Sequence, residues 1–322
     1  MGVITGTTQI PAAVNYFYVK KMLIKARPSL LHTKYGQVTD VPKGNGKAIR
    51  FRRYDLLSAA TTPLVEGVTP TGSQLSVTNV SGTVAWYGDY ITLTDEVVLT
   101  TFDPLLTEQS DILGQQSGNT LDQVARDVML AGTTIQYAST AVSRITVSAS
   151  MKINHDEIKE AVRTLQGNNA MKMTTMIQAS DGFNTTPINA AFVAIIDEST
   201  LYDLKLDPNF TSVENYSSQK GVMPEEVGSM DDVRFVMTTN AKVFTGLGAG
   251  GIDVHGTLIM AQNYYGITRI SGAAMQRIVK PIGSSGASDP LNQIGTDGWK
   301  ATFVAMRLNE NFALRFEHAV SA

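Results

Sequence analysis

Four histidines, at positions 32, 155, 255 and 318, are the whole supply of imidazole, and the chain has no cysteine. Disulfides, thiolate metal sites and cysteine nucleophiles are therefore excluded, and little is left for zinc. His155 stands at the start of a capped helix and is expected to be exposed. His255 and His318 are read as isolated. Gly246-Leu-Gly248-Ala-Gly250-Gly251 has the glycines of a dinucleotide loop, but that chemistry needs a helix opening at them. Ile252-Asp-Val-His-Gly follows, which is no helix, so a flexible loop is predicted. Lys43-Gly-Asn-Gly46-Lys47-Ala lacks the length of a phosphate loop and the hydroxyl after its lysine; it reads as a basic turn. Gly283-Ser-Ser-Gly286 is not the Gly-x-Ser-x-Gly of a nucleophile elbow. Asp231-Asp232 reads as a solvated turn rather than a metal site. Nucleophile, base and orienter converge nowhere. No catalytic, cofactor-binding or metal-ligating residue is assigned, and a cytosolic α+β enzyme is the weakest of three readings.

Charge is more informative than chemistry. Residues 1–53 hold ten Lys and Arg against one acid, Asp40, whereas residues 54–125 hold nine acids and no base. The net charge of −3 conceals this asymmetry and gives no global attraction to nucleic acid. The two segments are predicted to dock on one another and, if both are extensions, to do so between copies of the chain, where complementary charge steers and fixes register. The candidate assembly contacts are Lys20, Lys21, Lys25, Arg27, Arg50, Arg52, Arg53, Glu66 and Asp89.

The elements that must position these residues follow from patterning. The chain has 322 residues, 43% hydrophobic and 17% charged, which is enough for a full core and excludes a disordered protein. No run of 18 apolar residues is present, so no membrane-spanning helix is expected. The first nine residues are polar, without a basic and then apolar stretch; no secretory signal is expected, and the protein is read as cytosolic where it is made. Val14 to Leu31 forms an apolar and basic helix or arm, with Pro28 ending any helix. Lys47–Leu57 and Val84–Leu99 read as strands joined by a long Thr/Ser/Gly/Pro-rich excursion, that is, an extended hairpin that projects. Asp103-Pro104 starts a helix of about 27 residues, roughly 40 Å long, with Gly114 and Gly118 inside it. Ile135–Val147 is strand-like. Asn154 caps a helix to Gln166, with Glu157 in a capping-box position and Gly167 as the stop. Phe192–Ile196 is a buried strand, followed by a short helix through Leu206. Val233–Met237 and Thr257–Ala261 are strands, and Trp299–Arg307 with Phe312–Glu317 form a final pair. The sum is an α+β protein with antiparallel sheets and no internal repeat.

This order of basic arm, two-stranded excursion, long helix and mixed domain resembles the tailed-bacteriophage major capsid proteins, of the Hong Kong 97 type. Lys47-Ala-Ile-Arg-Phe-Arg-Arg-Tyr54, Pro63-Leu-Val-Glu-Gly-Val68, Trp86-Tyr-Gly-Asp-Tyr90-Ile-Thr-Leu-Thr-Asp95 and Pro224-Glu-Glu-Val-Gly228 through Val236 are similar to the N-four-like branch. So is the ending from Gly298 to Ala319. The resemblance spans nearly the whole chain and implies five regions. They are an N-terminal arm (1–45), an extended loop (46–100), a spine helix with part of the peripheral domain (101–152), an axial domain (153–295) and return strands (296–322). It implies hexamers and pentamers of this chain in an icosahedral shell around double-stranded DNA, held on the inner face without sequence specificity. A separate scaffolding protein, a portal and a decoration protein are the partners it implies. It implies no cofactor, no membrane and no catalysis, in a virion made in the bacterial cytoplasm. The second reading is the shell of an encapsulin-like bacterial nanocompartment, which shares the fold and is told apart by its cargo.

Overall fold

The computed structural model describes residues 31–321 except 56, 101–104, 177–188, 217–221 and 285–288. The apolar and basic stretch from Val14 and the Asp103-Pro104 cap lie outside the described residues. In chain order the elements are β1 (Gln37–Val41), β2 (Ala48–Tyr54), β3 (Val77–Thr83), β4 (Ala85–Thr94), α1 (Asp95–Thr100), α2 (Leu105–Leu130) and β5 (Ile135–Tyr137). Next come α3 (His155–Gly167), β6 (Phe192–Ile196), α4 (Glu198–Leu206), β7 (Thr211–Ser212), β8 (Glu226–Met230), β9 (Val233–Met237) and β10 (Lys242–Phe244). The chain closes with β11 (Val254–Met260), β12 (Tyr265–Ile270), β13 (Met275–Lys280), β14 (Ile294–Arg307) and β15 (Ala313–His318). No helix among the described residues is long and apolar enough to cross a membrane.

The long helix α2 is the keel. Leu113, Ser117, Leu121, Ala125 and Met129 recur every fourth residue and are all buried, which makes one inward stripe. Against it lie Trp299, Ala301, Phe303 and Ala305, every second residue of β14. The two periods meet along one line, and each fully buried Leu or Met there contributes about 1.5–3 kcal/mol. Gly114 and Gly118 are buried within an unbroken helix, and Ile112 faces solvent.

Two sheets share this core. The first runs β1-β12-β14-β13, with β4 also on β14. The second runs β5-β15-β11-β6-β9-β8-β7, with β10 also on β11. Val193 and Ile195 of β6 face the α2 core, while Phe192, Ala194 and Ile196 face a second core under α3. Burial on both faces explains why β6 reads as an unbroken apolar run.

Several expectations are corrected. β2 pairs with β3, from inside the predicted excursion, while β4 pairs antiparallel with β14 over Ala85–Thr94. The predicted strand beyond Thr94 is helix α1: the Thr94 hydroxyl accepts from Val97 N–H at 3.4 Å, and Asp95 and Glu96 occupy the first turn. β14 and β15 are not a pair, because the 3₁₀ turn at Glu310–Phe312 passes the chain from one sheet to the other. β1–β12, β5–β15 and β6–β9 are parallel. The strand expected over 135–147 is three residues long and ends in a 3₁₀ turn at Arg144–Thr146. β12 and β13 join the first sheet, and β5 and β15 join the second.

The cap of α3 follows the sequence: Asn154 Oδ1 accepts from Glu157 N–H at 3.0 Å. Glu157 does not complete the box; its carboxylate accepts from Ser139 N–H instead. The stop is Asn169, at φ 54°, with Ala170 N–H reaching back to Leu165 O at 3.1 Å.

Candidate assembly surface

The antiparallel ribbon β2–β3 rests on the body through a few residues of one face. Phe51 lies by Gly266 and Leu308, and a Cβ at Gly82 would strike Met306. Between ribbon and body is a cavity of about 540 Å³ with Phe51, Leu308 and Phe312 on its apolar side. Beyond the ribbon, residues 57–76 are exposed throughout. Leu64, Val65 and Val68 are 79%, 66% and 63% exposed, on a segment with almost no charge. Val68 N–H bonds Val65 O at 3.1 Å, and Gly67 at φ 77° supplies the positive angle this turn needs at its third position. Glu66 therefore stands at the corner of a β-turn among apolar residues. In water this arrangement gains nothing; covering each apolar side chain contributes on the order of 1–2 kcal/mol.

The predicted contacts are distributed as follows. Lys20, Lys21, Lys25 and Arg27 lie outside the described residues. Arg50 and Arg52 are exposed on β2, beside Lys47, and face no carboxylate in any ion pair among the described residues. Arg53 turns inward, with Nε 3.3 Å from Asp55 Oδ1 and Nη1 donating to Leu308 O at 3.4 Å. The Ser76, Thr78 and Arg53 bonds hold Asp55 below the usual carboxylate range. Asp89 accepts from Gln116 Nε2 at 2.5 Å and from Tyr90 N–H at 2.9 Å; these bonds lower its pKa. It ties β4 to α2, and Gln116 also accepts from Trp299 Nε1 at 3.0 Å. Among the described residues the basic and acidic segments thus meet little. Arg53 finds Asp55, and His32 finds Asp122, at Nδ1–Oδ2 2.8 Å and N–Oδ1 2.7 Å. That second contact, with the Tyr265 hydroxyl donating to His32 O, locks the root of the arm onto α2 and β12.

The histidines depart from the sequence reading. His155 is half-buried, its Nε2 2.8 Å from Asp231 Oδ2, and Lys172 Nζ is 2.6 Å from Asp232 Oδ2, so the Asp231-Asp232 turn is an anchor. His255 and His318 are not isolated. They are register partners across β11 and β15, with ring centroids 6.3 Å apart. His255 Nδ1 is 2.5 Å from Asp197 Oδ2. Burial disfavours the Asp197 charge, but the bonds from His255 and Thr200 outweigh it and hold the carboxyl low. His318 is fully buried; its Nδ1–H donates to Ala319 O and its Nε2 accepts from Thr257 Oγ1, both at 3.0 Å. Burial lowers its pKa to about 4, so it is neutral at pH 7. Beside it Glu317, wholly buried, is held by Arg144 at 2.6 and 2.8 Å and by Arg315 at 2.7 Å. The Gly246–Gly251 stretch turns through a 3₁₀ segment at Ala249–Gly251 and opens no α-helix. Among the described residues no group of three or more carboxylate and imidazole side chains could hold a metal.

Residues 78–306 match the family described as phage capsid protein. The chain belongs to that family. The family is structural rather than enzymatic. No curated protein matches this capsid protein in sequence. Its fold is that of solved phage capsids, the Hong Kong 97 type. The cyanophage Pam1 capsid asymmetric unit is 14% identical with a TM-score of 0.67, over 92% of each chain. The Ralstonia phage GP4 capsid is 10% identical with a TM-score of 0.66, over 88% of this chain and 87% of that one. The cyanophage P-SCSP1u capsid is 13% identical with a TM-score of 0.65, over 91% and 89%.

Sequence reasoning missed the aromatic and lysine side chains on the free face of the β4–β14–β13 sheet: Trp86, Tyr90, Lys280 and Lys300. Strict alternation in Trp86-Tyr87-Gly88-Asp89-Tyr90 was the signal available for them.

Proposed function

We propose that this capsid protein is the repeating subunit of an icosahedral phage head, assembled as hexamers and pentamers around double-stranded DNA. The observation that carries the reading is the turn beyond the ribbon, whose apolar residues Leu64, Val65 and Val68 have no cover among the described residues. A second copy supplies that cover. Each subunit both gives and receives such contacts, so modest interfaces add into a stable shell. Residues 46–100 form the extended loop, residues 101–152 with 296–322 form the spine helix α2 and the peripheral domain, and residues 153–295 form the axial domain. The stretches quoted above favour the N-four-like branch. Lys20, Lys21, Lys25, Arg27, Arg50 and Arg52 face either acidic surface on neighbours or packaged DNA, while Arg53 is engaged by Asp55 and Leu308 O. Scaffolding, portal and decoration proteins are the further partners. Electron microscopy of the protein purified from its native source tests the reading: closed isometric particles containing DNA are expected. Monodisperse monomers at high concentration would overturn it, and particles filled with protein would favour the nanocompartment.

A further inference from the structure

The free face of the first sheet carries a notch of about 610 Å³ lined by Trp86, Gly88, Tyr90, Ile278, Lys280 and Lys300. Register places these residues on one face: Gly298 opposite both Tyr90 and Ile278, and Lys300 opposite Gly88. Trp299, Asp297 and Arg277 alternate onto the other face, toward α2, where Asp297 and Arg277 pair with one another. A Cβ at Gly298 would come within 2.7 Å of Tyr90 Cβ, and one at Gly88 within 2.6 Å of Trp299 O, so the floor stays low only with glycine. Lys300 Nζ stands 4.1 Å from the Trp86 ring centroid. Lys280 and Lys300 form no ion pair with a carboxylate among the described residues. Asp89, the one acid near it, lies opposite Trp299 on the α2 side and is engaged by Gln116. The notch is thus apolar, aromatic and cationic, with its one acid already occupied.

An exposed turn of the opposite character lies beyond the ribbon. Val65-Glu66-Gly67-Val68 offers a carboxylate flanked by exposed aliphatic groups, and Glu66 has no ion pair or hydrogen bond among the described residues. We infer that the Glu66 turn of one copy seats in this notch of a second copy, with Glu66 between Lys280 and Lys300 and Val65 and Val68 against Trp86, Tyr90 and Ile278. Charge complementarity selects this occupant. The basic arm would meet two lysines and be repelled, whereas the turn brings the missing acid together with apolar surface matched to the rings. Covering the pair removes it from water and salt, where it otherwise counts for little. The inference rests on the shell reading and names the surface that receives the loop.

The cysteine-free chain makes a direct test possible. In the doubly substituted chain Glu66→Cys with Lys300→Cys, mild oxidation of assembled particles is expected to give a ladder of disulfide-linked multimers, and either substitution alone is expected to give none. Charge exchange is the second arm. Glu66→Lys, and separately Lys280→Glu with Lys300→Glu, should each shift the assembly midpoint by roughly fivefold, the upper end for such a pair. Their combination should restore it. Closed particles without any ladder, or a combined variant no better than the worse parent, would overturn the docking while leaving the shell reading intact. Reduced DNA retention in the lysine variants at an unchanged assembly midpoint would also overturn it, and would give the notch to DNA. Absence of particles from the parental chain is a different failure, that of the shell reading itself.

Discussion

Acidification should weaken this fold through one side chain, His318. Burial sets its folded pKa at about 4, against 6.5 for an ordinary imidazole. Protonation therefore favours the unfolded chain. The stability that neutral His318 contributes is complete above about pH 6.5, declines as the pH falls, and is gone below about pH 4. That gap, at 1.36 kcal/mol per pH step, amounts to about 3 kcal/mol. The groups around the ring are His255, Asp197 and Asp203, with Thr257 and Ala319 O bonded to it. Asp197 is held low, so its own contribution is lost only within or below the carboxylate range, underneath most of the His318 window. Replacing the ring by His318→Gln keeps a group that can donate to Ala319 O and accept from Thr257, but removes the proton uptake. The assay is guanidinium unfolding followed by the fluorescence of Trp86 and Trp299, from about pH 7 to about pH 4.5. The parent should lose stability across that range, and the variant should lose about 2 kcal/mol less. Parallel pH slopes in the two proteins would refute the assignment of this window to His318.

Three further outcomes follow from the same geometry. Deleting residues 1–30 should leave a folded chain that forms no closed shells. Deleting residues 1–45 should also unfold it more easily, by about 3 kcal/mol, because Asp122 loses His32 and β12 loses β1; equal denaturation midpoints would count against this. Replacing Lys20, Lys21, Lys25 and Arg27 together with Gln should weaken assembly and flatten its salt dependence, read from light scattering across a salt series; an unchanged dependence would remove the arm from the interface. The loop from Ala48 to Glu96 contains no lysine, so it can supply no amine for an isopeptide link. Particles boiled in denaturing detergent should give one band at 34.7 kDa, and a ladder of multimers would point to Lys34 or Lys43.

What was legible in the sequence was whatever a local pattern determines. The α3 cap at Asn154, the short helix after β6 and the buried strand β6 all rest on residues within a few positions of one another. Strand pairing was not legible, because register depends on partners far away in sequence. Asn309-Glu310-Asn311 has the composition of a hairpin turn, yet Arg307 donates to Val128 O at 2.7 Å and pairs with Glu310. Those contacts swing the chain across the end of α2 into the second sheet. The His255–His318 pair exists only because β11 and β15 lie in register, 63 residues apart in sequence. At α1 two signals competed: Val97 and Val98 favour a strand, and Thr94 with Asp95 and Glu96 favours a helix start. The cap prevailed where β4 runs past the end of its partner at Ile294.

The distribution of polar and apolar groups carries the functional argument further than any motif. Here Arg277 and Asp297 pair out of water between β13 and β14, and Glu317 is wholly buried between two arginines. Breaking such a pair costs about 3–5 kcal/mol, so these groups hold the register of the sheets firmly. Meanwhile Leu64, Val65, Val68, Tyr90 and Leu99 stand in solvent. Sheets pinned in register from within present the ribbon and the Trp86–Tyr90 face at defined positions. Assembly needs that rigidity, because a loop must find its notch on every neighbour at the same distance. The exposed residues cost little solubility as long as they are spread over a ribbon rather than gathered into one patch. Their coverage is then reserved for a second copy, which is the condition for a subunit that stays dispersed when dilute and closes into a shell when concentrated.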